Sequence, residues 1–479
     1  MTSGGGDGQD AQERAAARPL RERAQRAVRG YGPPTVPIAL PRLSSGLAAD
    51  VERSVLDLVL RVGDALIATG APVADTTAAL LKLADGFGVR SLQVDITFTS
   101  ITASIDRDDV PITGIRVIAV RTSDYSRLAE LFALVDDAAA GRLDLAAAHE
   151  RLSEVVEAPH PYRRWIVTFA LAVMAAGVAV LLNGGLLVAV VAGVTTALID
   201  RTMRRLRRFG LPSFFQQVVG AAIATGIALL LIWGRVQFGW SGAILPPALV
   251  VASGIVVLLA GLSLVGAADD AISGFPLTAA ARSFEVALHT VGIVVGIGLT
   301  LDLGLRLGVP LRMTDISMLA TPTVVQIVAG ATIAAAWAVA SYARPRVVLA
   351  VVVAGGSAVA VSTTLNRAGL GPATSAFGAA LVVGFASGFL SDRLGIQQFG
   401  VSVAGITPLL PGLAIYRAMF TLVDTSSIVQ GGAMLLAALA IGLALAAGVT
   451  LGEFLATPLH SETDRWQKRV GRRARGTRI

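Results

Sequence analysis

The chain has 479 residues, of which 54% are hydrophobic and only 15% are charged. Soluble globular proteins average about 25% charged residues, so this composition excludes an ordinary soluble protein and indicates one that crosses a membrane several times. The absence of cysteine excludes disulfides, thiolate metal sites and thiol nucleophiles. The four histidines are too scattered to indicate a zinc site, and we expect neither a metal nor another cofactor.

The net charge of +7 comes from three basic clusters. Seven arginines lie within 14–42, five within 201–208, and seven lysines or arginines within 465–478. Each cluster adjoins an apolar block or a terminus. Because basic runs beside membrane spans mark the cytoplasmic side, nucleic acid is not an expected partner.

The first 158 residues predict a tail followed by a soluble domain. Residues 1–45 lack apolar periodicity and are predicted to be disordered, and no apolar run after Met1 predicts a cleaved signal. Residues 46–158 predict a cytosolic α+β domain. Its predicted elements are helices at 51–70, 73–88, 123–138 and 142–156, with strands within 89–105 and 114–121.

From Trp165 onward, apolar runs of spanning length recur ten times. A bilayer core of about 30 Å needs about 20 helical residues. The runs lie near 165–182, 185–200, 213–233, 243–265, 283–301, 323–342, 346–364, 372–390, 397–421 and 430–453. They predict an α-helical polytopic transporter domain over 159–456, followed by a basic cytoplasmic tail at 457–479.

Arginine placement predicts the orientation of these spans. The connections on the amino-terminal side carry the 201–208 cluster, Arg282, Arg344, Arg346 and Arg393. The opposite connections hold fewer and more scattered arginines. By the positive-inside rule, both termini are predicted to be cytoplasmic.

Two pairs of segments predict an internal repeat. Residues 254–264 and 405–415 share the pattern G-I-x-x-L-L-x-G-L, and residues 220–228 align with 378–386. Chance similarity between glycine-rich apolar segments is the alternative. Since each copy would hold five spans, the second copy must be inverted, giving halves at 165–301 and 323–453. Inverted repeats are typical of secondary transporters, which bind substrate near the midplane between the copies.

The second copy carries Pro408 and Pro411 where the first has Val257 and Ala260. Proline removes a helical hydrogen bond, so we expect a broken helix in the second copy and a more regular one in the first. Irregular backbone at membrane depth must line a cavity or pack in protein. We therefore predict a substrate site, with a kink that only shapes packing as the alternative. The candidate residues are Gly405, Thr407, Pro408, Pro411 and Gly412, with Gly254, Gly261 and Ser263 from the first copy.

Ionisable residues within the apolar half are rare and therefore informative. Arg282, Glu285 and His289 are spaced three and four apart, so they share one helix face and could carry a proton. The alternative for Arg282 and Glu285 is an ordinary surface pair. Asp269 and Asp270 could bind a substrate ammonium group or cap helices at the interface.

Two other carboxylates receive structural interpretations. Glu453 is either buried in the last span or snorkels at its inner end, and the polar tail after it favours the second interpretation. Asp75 is interpreted as a helix cap. The predicted soluble domain contains no nucleophile elbow, P-loop or HExxH motif. We therefore expect no enzyme, and without an ATP-binding motif transport would depend on an ion gradient.

From about residue 50 to 456 the chain resembles the threonine/serine exporter family. The resemblance is carried by the stretches "GDALIATGAPVADT", "VDITFTSIT", "GLPSFFQQVVGAAIAT", "GIVVLLAGLSLV", "DAISGFPLTAAARSFE" and "GITPLLPGLAIYRAMF". In some bacteria the same module resembles two separate membrane proteins, one for each half. The resemblance assigns no role to any single residue.

The resemblance implies efflux of threonine and serine across the bacterial cytoplasmic membrane, driven by protons. The expected partners are therefore a small hydroxy amino acid, protons and the lipid bilayer, and a homo-oligomer is left open. The alternatives are an exporter of another small metabolite, a passive channel, or a membrane-anchored enzyme or sensor that acts through the soluble domain.

Overall fold

The computed structural model of the protein describes most of the chain between residues 49 and 475. The described ranges are 49–106, 111–118, 122–238, 247–255, 257–258, 261–308, 322–394, 398–412, 414–415, 417–418, 421 and 428–475. The predicted tail at 1–45 lies outside them.

The N-terminal region, residues 49–157, contains four helices and one small sheet. The helices are α1 (Ala49–Thr69), α2 (Val73–Gly86), α3 (Tyr125–Ala139) and α4 (Leu145–Glu157), and the strands are β1 (Leu92–Ile96), β2 (Ser100–Ile105) and β3 (Ile112–Val117). The sheet is antiparallel in the order β1-β2-β3, with Ala103 opposite both Val94 and Gly114. These elements follow the predicted order: the segment 89–105 contains both β1 and β2, and β3 begins two residues before the predicted 114.

One face of this sheet packs on helix α1. Alternate residues of β2, Ile101, Ala103 and Ile105, are buried in a core shared with the helices. At Gly114 a Cβ would lie 2.5 Å from Leu60 Cδ1 of α1, so a larger residue would require the Leu60 side chain to shift. The two-residue period of the strand therefore determines which face meets the helix.

The rest of the described chain is helical. The helices are α5 (Arg164–Leu181), α6 (Leu186–Arg208), α7 (Ser213–Phe238), α8 (Pro247–Gly254), α9 (Gly261–Ile272), α10 (Pro276–Arg306), α11 (Thr323–Ala340), α12 (Pro345–Arg367), α13 (Pro372–Leu394), α14 (Gln398–Ile406) and α15 (Ile428–Arg475).

Within the described residues, eight of these helices are long and apolar enough to cross a membrane: α5, α6, α7, α10, α11, α12, α13 and α15. The chain is thus a multi-pass membrane protein. The sequence predicts ten spans, and the other two, near 243–265 and 397–421, are not continuous helices. The first is divided into α8 and α9, and the second is interrupted after α14.

The membrane helices before residue 310 pack on one another in the same order as the helices after it. Helix α5 packs on α6 as α11 packs on α12, and α7 packs on α10 as α13 packs on α15. The short helix α8 contacts α6 and α7, and α14 contacts α12 and α13 in the same way. Helices α5 and α11, the first of each set, pack against each other.

Glycine pairs bring α10 and α15 close to their neighbours. Gly292 and Gly296 of α10 face backbone carbonyls of α7, and Gly448 and Gly452 of α15 face carbonyls of α13. A Cβ at Gly292 would lie 2.9 Å from a carbonyl oxygen of α7. Two small residues four apart are the usual means of close helix approach in membranes.

The N-terminal region docks on the loop between α11 and α12. The Tyr125 backbone N–H donates to the Ser341 carbonyl over 2.9 Å, and the Tyr162 hydroxyl donates to the Ala343 carbonyl over 2.9 Å. A separate contact reaches α10, where the Thr278 hydroxyl donates to the carbonyl of Ile96 in β1 over 3.3 Å. The docked region therefore contacts helices on both sides of residue 310.

Candidate functional site

Both interrupted segments break at the same positions of their shared motif. Helix α8 ends at Gly254, turns follow, and α9 begins at Gly261. Helix α14 ends at Ile406, a 3₁₀ turn covers Thr407–Leu409, and helical turns resume at 412. The expectation of a more regular helix in the first copy is therefore wrong.

The first break forms without proline because its free backbone groups find other partners. The Thr196 hydroxyl of α6 donates to the Gly254 carbonyl over 3.2 Å, at the end of α8. This bond replaces the one that the interrupted helix would supply. The neighbouring Thr195 hydroxyl is fully buried and has no hydrogen-bond partner among the described residues.

The second break is stabilised from within its own segment. The Thr407 hydroxyl donates to the Val403 carbonyl over 3.1 Å, and the Gly412 N–H donates to the Leu410 carbonyl over 2.8 Å. Gly405 packs tightly, since a Cβ there would lie 2.9 Å from atoms of both Ala354 and Val383. Pro411 is buried, whereas Pro408 is half-buried.

Three carboxylates from distant parts of the sequence lie close enough for their charges to interact. Asp75 comes from α2, Asp269 from α9 and Glu453 from α15. We call this group the carboxylate cluster. It joins the N-terminal region to both parts of the membrane region.

Neutral polar groups hold two members of the cluster. The Thr450 hydroxyl donates to Asp269 Oδ1 over 2.8 Å, and the Ser402 hydroxyl donates to Glu453 Oε1 over 2.7 Å. The Gln398 side chain also hydrogen-bonds Glu453. Each carboxylate thus accepts a hydrogen bond from a helix other than its own.

Asp75 connects the cluster to water. Burial and the nearby charge of Asp269 raise its pKa to about 6. The residue is nevertheless exposed at the surface, so its carboxylate can exchange a proton with water. The interpretation of Asp75 as a helix cap is wrong, because the N-cap of α2 is Pro72 and no side chain caps that helix.

Asp270 and Arg282 form an ion pair beside the cluster, 3.0 Å apart. The side chains are only 2% and 17% exposed, so each charge depends on the other. Arg282 also acts electrostatically on Asp269. The expectation that Asp270 caps a helix is replaced by this pairing.

The structure does not bring the predicted Arg282–Glu285–His289 face together as one network. Arg282 turns to Asp270 on α9. Glu285 and His289 are half-buried on α10, and neither forms a hydrogen bond or ion pair with another described residue. Ser263 is likewise half-buried on α9.

Sequence reasoning underestimated Glu453 and did not single out Thr450, Ser402 or Gln398. A lone Glu between an apolar span and a basic tail has the sequence pattern of a snorkelling side chain. Its neighbours in the sequence give no sign of a polar partner on another helix. One signal was present: Thr450 and Glu453 are three residues apart, so they share a face of α15. Neither residue by itself indicates which helix it faces.

The carboxylate cluster suits an ammonium group or a proton better than a metal ion. No group of three or more His, Asp or Glu residues in the described part of the chain has the geometry of a metal site. Carboxylate, hydroxyl and amide oxygens accept hydrogen bonds. The arrangement can therefore receive an ammonium group or a proton.

Two family models match the chain. The first, described as "Putative threonine/serine exporter", matches residues 57–304, and the second, "Threonine/Serine exporter, ThrE", matches residues 326–455. The chain belongs to the threonine/serine exporter family. The first match ends within α10 and the second begins within α11, which is where the contact pattern of the membrane helices begins again.

Two curated relatives are similar over most of their length. A "Probable threonine/serine exporter" of Mycobacterium tuberculosis is 39% identical over 461 residues, covering 94% of this chain and 85% of the relative. A "Threonine/serine exporter" of Corynebacterium glutamicum is 38% identical over 413 residues, covering 85% of this chain and 83% of the relative. No solved structure gives a significant match. The resemblance stated from the sequence is confirmed.

Proposed function

We propose that this chain exports threonine and serine in exchange for protons. Membership of the threonine/serine exporter family supports the substrate, as do the names of both relatives. The carboxylate cluster is the single observation that supports exchange for protons, because it places three interacting acids beside the Asp270–Arg282 ion pair.

The proposed coupling is a competition for the same carboxylates. A zwitterionic amino acid brings an ammonium group, and buried acids are stable when that cation or a proton neutralises them. Since one partner excludes the other, substrate leaves as protons arrive. Asp75, with a pKa of about 6, exchanges protons with water near neutral pH.

The two breaks provide groups for the rest of the substrate. The N-terminus of α9, at Gly261, suits the substrate carboxylate, because the first N–H groups of a helix have no partner within it. Hydroxyls of Ser263, Thr407 and the buried Thr195 suit the substrate hydroxyl. Around them, Gly254, Gly405, Pro408, Pro411 and Gly412 shape the proposed wall.

We place the remaining ionisable candidates in supporting roles. Arg282 balances Asp270 and weakens the repulsion that the cluster imposes on Asp269. Glu285 and His289 form a proton path along α10 towards the cluster. Both Asp269 and Asp270 lie at the end of α9 where substrate would enter.

The proposed transport fold is a 5+5 inverted repeat of ten membrane-entering segments, eight continuous and two broken. Its support is the matching set of helix contacts, the common break positions and the paired glycines. The arginines at the end of α6 support a cytosolic N-terminal domain and cytoplasmic termini in a bacterial cytoplasmic membrane.

Proteoliposomes loaded with labelled threonine test this proposal. We expect threonine to leave against its own gradient when the external side is acidified, and a protonophore should abolish that movement. Counterflow across the twenty amino acids should favour threonine and serine. Identical efflux with and without the pH gradient would contradict the coupling, and counterflow of unrelated metabolites alone would contradict the substrate.

A further inference from the structure

A large crevice lies between the N-terminal region and the adjacent ends of α5, α6 and α11. Its volume is about 1590 Å³, and one wall reaches Val257 in the first break. Nine arginines and only three carboxylates line it. The crevice is therefore strongly cationic.

Part of this charge is already neutralised within the protein. Arg116 pairs with Asp64 over 2.8 Å, and Arg204 pairs with Asp200 over 2.6 Å. Arg61 and Arg127 also form ion pairs, with Asp57 and Asp124. The five remaining lining arginines form no ion pair with any residue that the structure describes. They are Arg164, Arg201, Arg205, Arg207 and Arg208.

The unpaired arginines of α6 repel one another. Arg201, Arg205 and Arg208 are spaced four and three apart, so they share one face of the helix. Like charges at these spacings destabilise a helix. An anion bound across this face offsets the repulsion, so its binding would stabilise the helix.

The same crevice has an apolar wall. Trp165 and Phe169 of α5 are 65% and 63% exposed and line it one turn apart. Arg164 precedes them at the start of the helix. Apolar side chains beside a basic end match a molecule with an anionic head and hydrocarbon tails, and a soluble phosphate would use only the arginines.

We propose that this crevice binds an anionic phospholipid. The phosphate of the headgroup contacts the arginine face of α6, and the acyl chains lie along Trp165 and Phe169. The lipid occupies the leaflet on the side of the N-terminal region. This binding is separate from the carboxylate cluster and does not depend on the proposed proton coupling.

Delipidated full-length protein in neutral detergent provides the test. We expect phosphatidylglycerol, but not phosphatidylcholine, to raise the unfolding temperature, because a ligand that binds the folded state stabilises it. The Arg201→Gln/Arg205→Gln/Arg208→Gln variant should bind phosphatidylglycerol about 100-fold more weakly, given the usual contribution of each basic residue near a lipid surface.

Arg346→Gln is the matched control, since Arg346 at the start of α12 is exposed, forms no ion pair with any described residue and does not line the crevice. It should leave the affinity unchanged. Added salt should weaken phosphatidylglycerol binding to the unmodified protein, which tests the charge even where the triple variant fails to fold.

Competition with inorganic phosphate distinguishes a phospholipid headgroup from a soluble anion. Displacement of phosphatidylglycerol by millimolar phosphate would overturn the lipid assignment in favour of a soluble anion. Equal stabilisation by phosphatidylcholine would overturn the charge argument.

Discussion

The two interrupted segments of the membrane region share a backbone but differ in chemistry. Both break between a Gly-Ile pair and a Gly-Leu pair of the same motif. The helix that follows the first break carries Asp269 and Asp270 in its last turn, whereas the matching positions after the second break are Phe420 and Thr421. A common scaffold thus carries acids in only one copy.

The helices that pack beside these segments differ in the opposite way. If Gly292 and Gly296 of α10 are matched with Gly448 and Gly452 of α15, Thr450 and Glu453 match Val294 and Ile297. The polar groups of both copies therefore collect at one place, near Asp75. In the proposed repeat, duplication would account for the shape of the region and later divergence for the positions of its charges.

The largest expected effect comes from the acid that has no counterpart in the second copy. Asp269→Asn should lower proton-driven threonine export by at least about 100-fold, because the neutral amide cannot exchange a proton for an ammonium group. Efflux from proteoliposomes at a fixed pH gradient measures this loss. Thr421→Ala is the control. Export by Asp269→Asn at the wild-type rate would show that the acid present in only one copy is not needed for transport.

The Asp270–Arg282 pair should have the next largest effect, on stability. Asp270→Asn leaves a largely buried guanidinium without its partner and should cost about 3 kcal/mol. Asp270→Asn/Arg282→Gln should recover most of that loss, as measured by thermal unfolding in detergent. No recovery would mean that the two charges do not depend on each other.

The paired glycines should show the symmetry of the scaffold. Gly296→Ala and Gly452→Ala each place a Cβ against a neighbouring carbonyl, and each should cost about 1–3 kcal/mol by overpacking. Gly226→Ala, where the added Cβ meets open space, should cost nothing. Strongly unequal costs at 296 and 452 would weaken the match between the halves.

The pKa of Asp75, raised to about 6, should give a smaller, pH-dependent effect. A raised folded-state pKa makes ionised Asp75 unfavourable above pH 6, and that cost disappears as pH falls through 6 towards 4. Asp75→Asn should therefore stabilise the protein at pH 8 by about 1 kcal/mol, a value limited by solvent access, and should lose that advantage at pH 4.

Exposed Asp95 on β1 supplies the control for this measurement. Asp95→Asn should leave the unfolding temperature unchanged at both pH values. A gain for Asp75→Asn that is the same at pH 4 and pH 8 would separate Asp75 from the cluster.

The smallest effect concerns the prolines themselves. Because the first copy breaks with valine and alanine at the corresponding positions, Pro408→Val/Pro411→Ala should preserve the break and keep export within about threefold of the original, a change below roughly 1 kcal/mol. Export assays measure this. A loss of more than tenfold would show that the second break, unlike the first, requires proline.

Sequence reasoning predicted the elements of the N-terminal region and the continuous spans because their periodicity is local. It missed the first break, since a hydrogen bond from Thr196 to Gly254 involves another helix and leaves no mark near Gly254. Two prolines drew attention to the second break alone. Residue type alone therefore revealed one of the two helix breaks, whereas contacts with other helices stabilise both.

The carboxylates show the same limit. Asp269 and Asp270 were recognised because they stand in an apolar stretch, but their partners come from α15 and α10. Asp75 and Glu453 lie 378 positions apart in the sequence, and each has a plausible local explanation. A single sequence records the cost of a charge in a membrane, but not the neighbour that offsets it.

The docking of the N-terminal region has a mechanical consequence. Its bonds to Ser341 and to Thr278 join it to the loop after α11 and to α10, on both sides of residue 310. In a rocking cycle those two sides shift relative to each other, and a hydrogen bond tolerates only a few tenths of an ångström of stretch. If the proposed transporter works by such rocking, each turnover breaks and remakes a bond at this joint, and the strength of that bond contributes to the speed of the cycle.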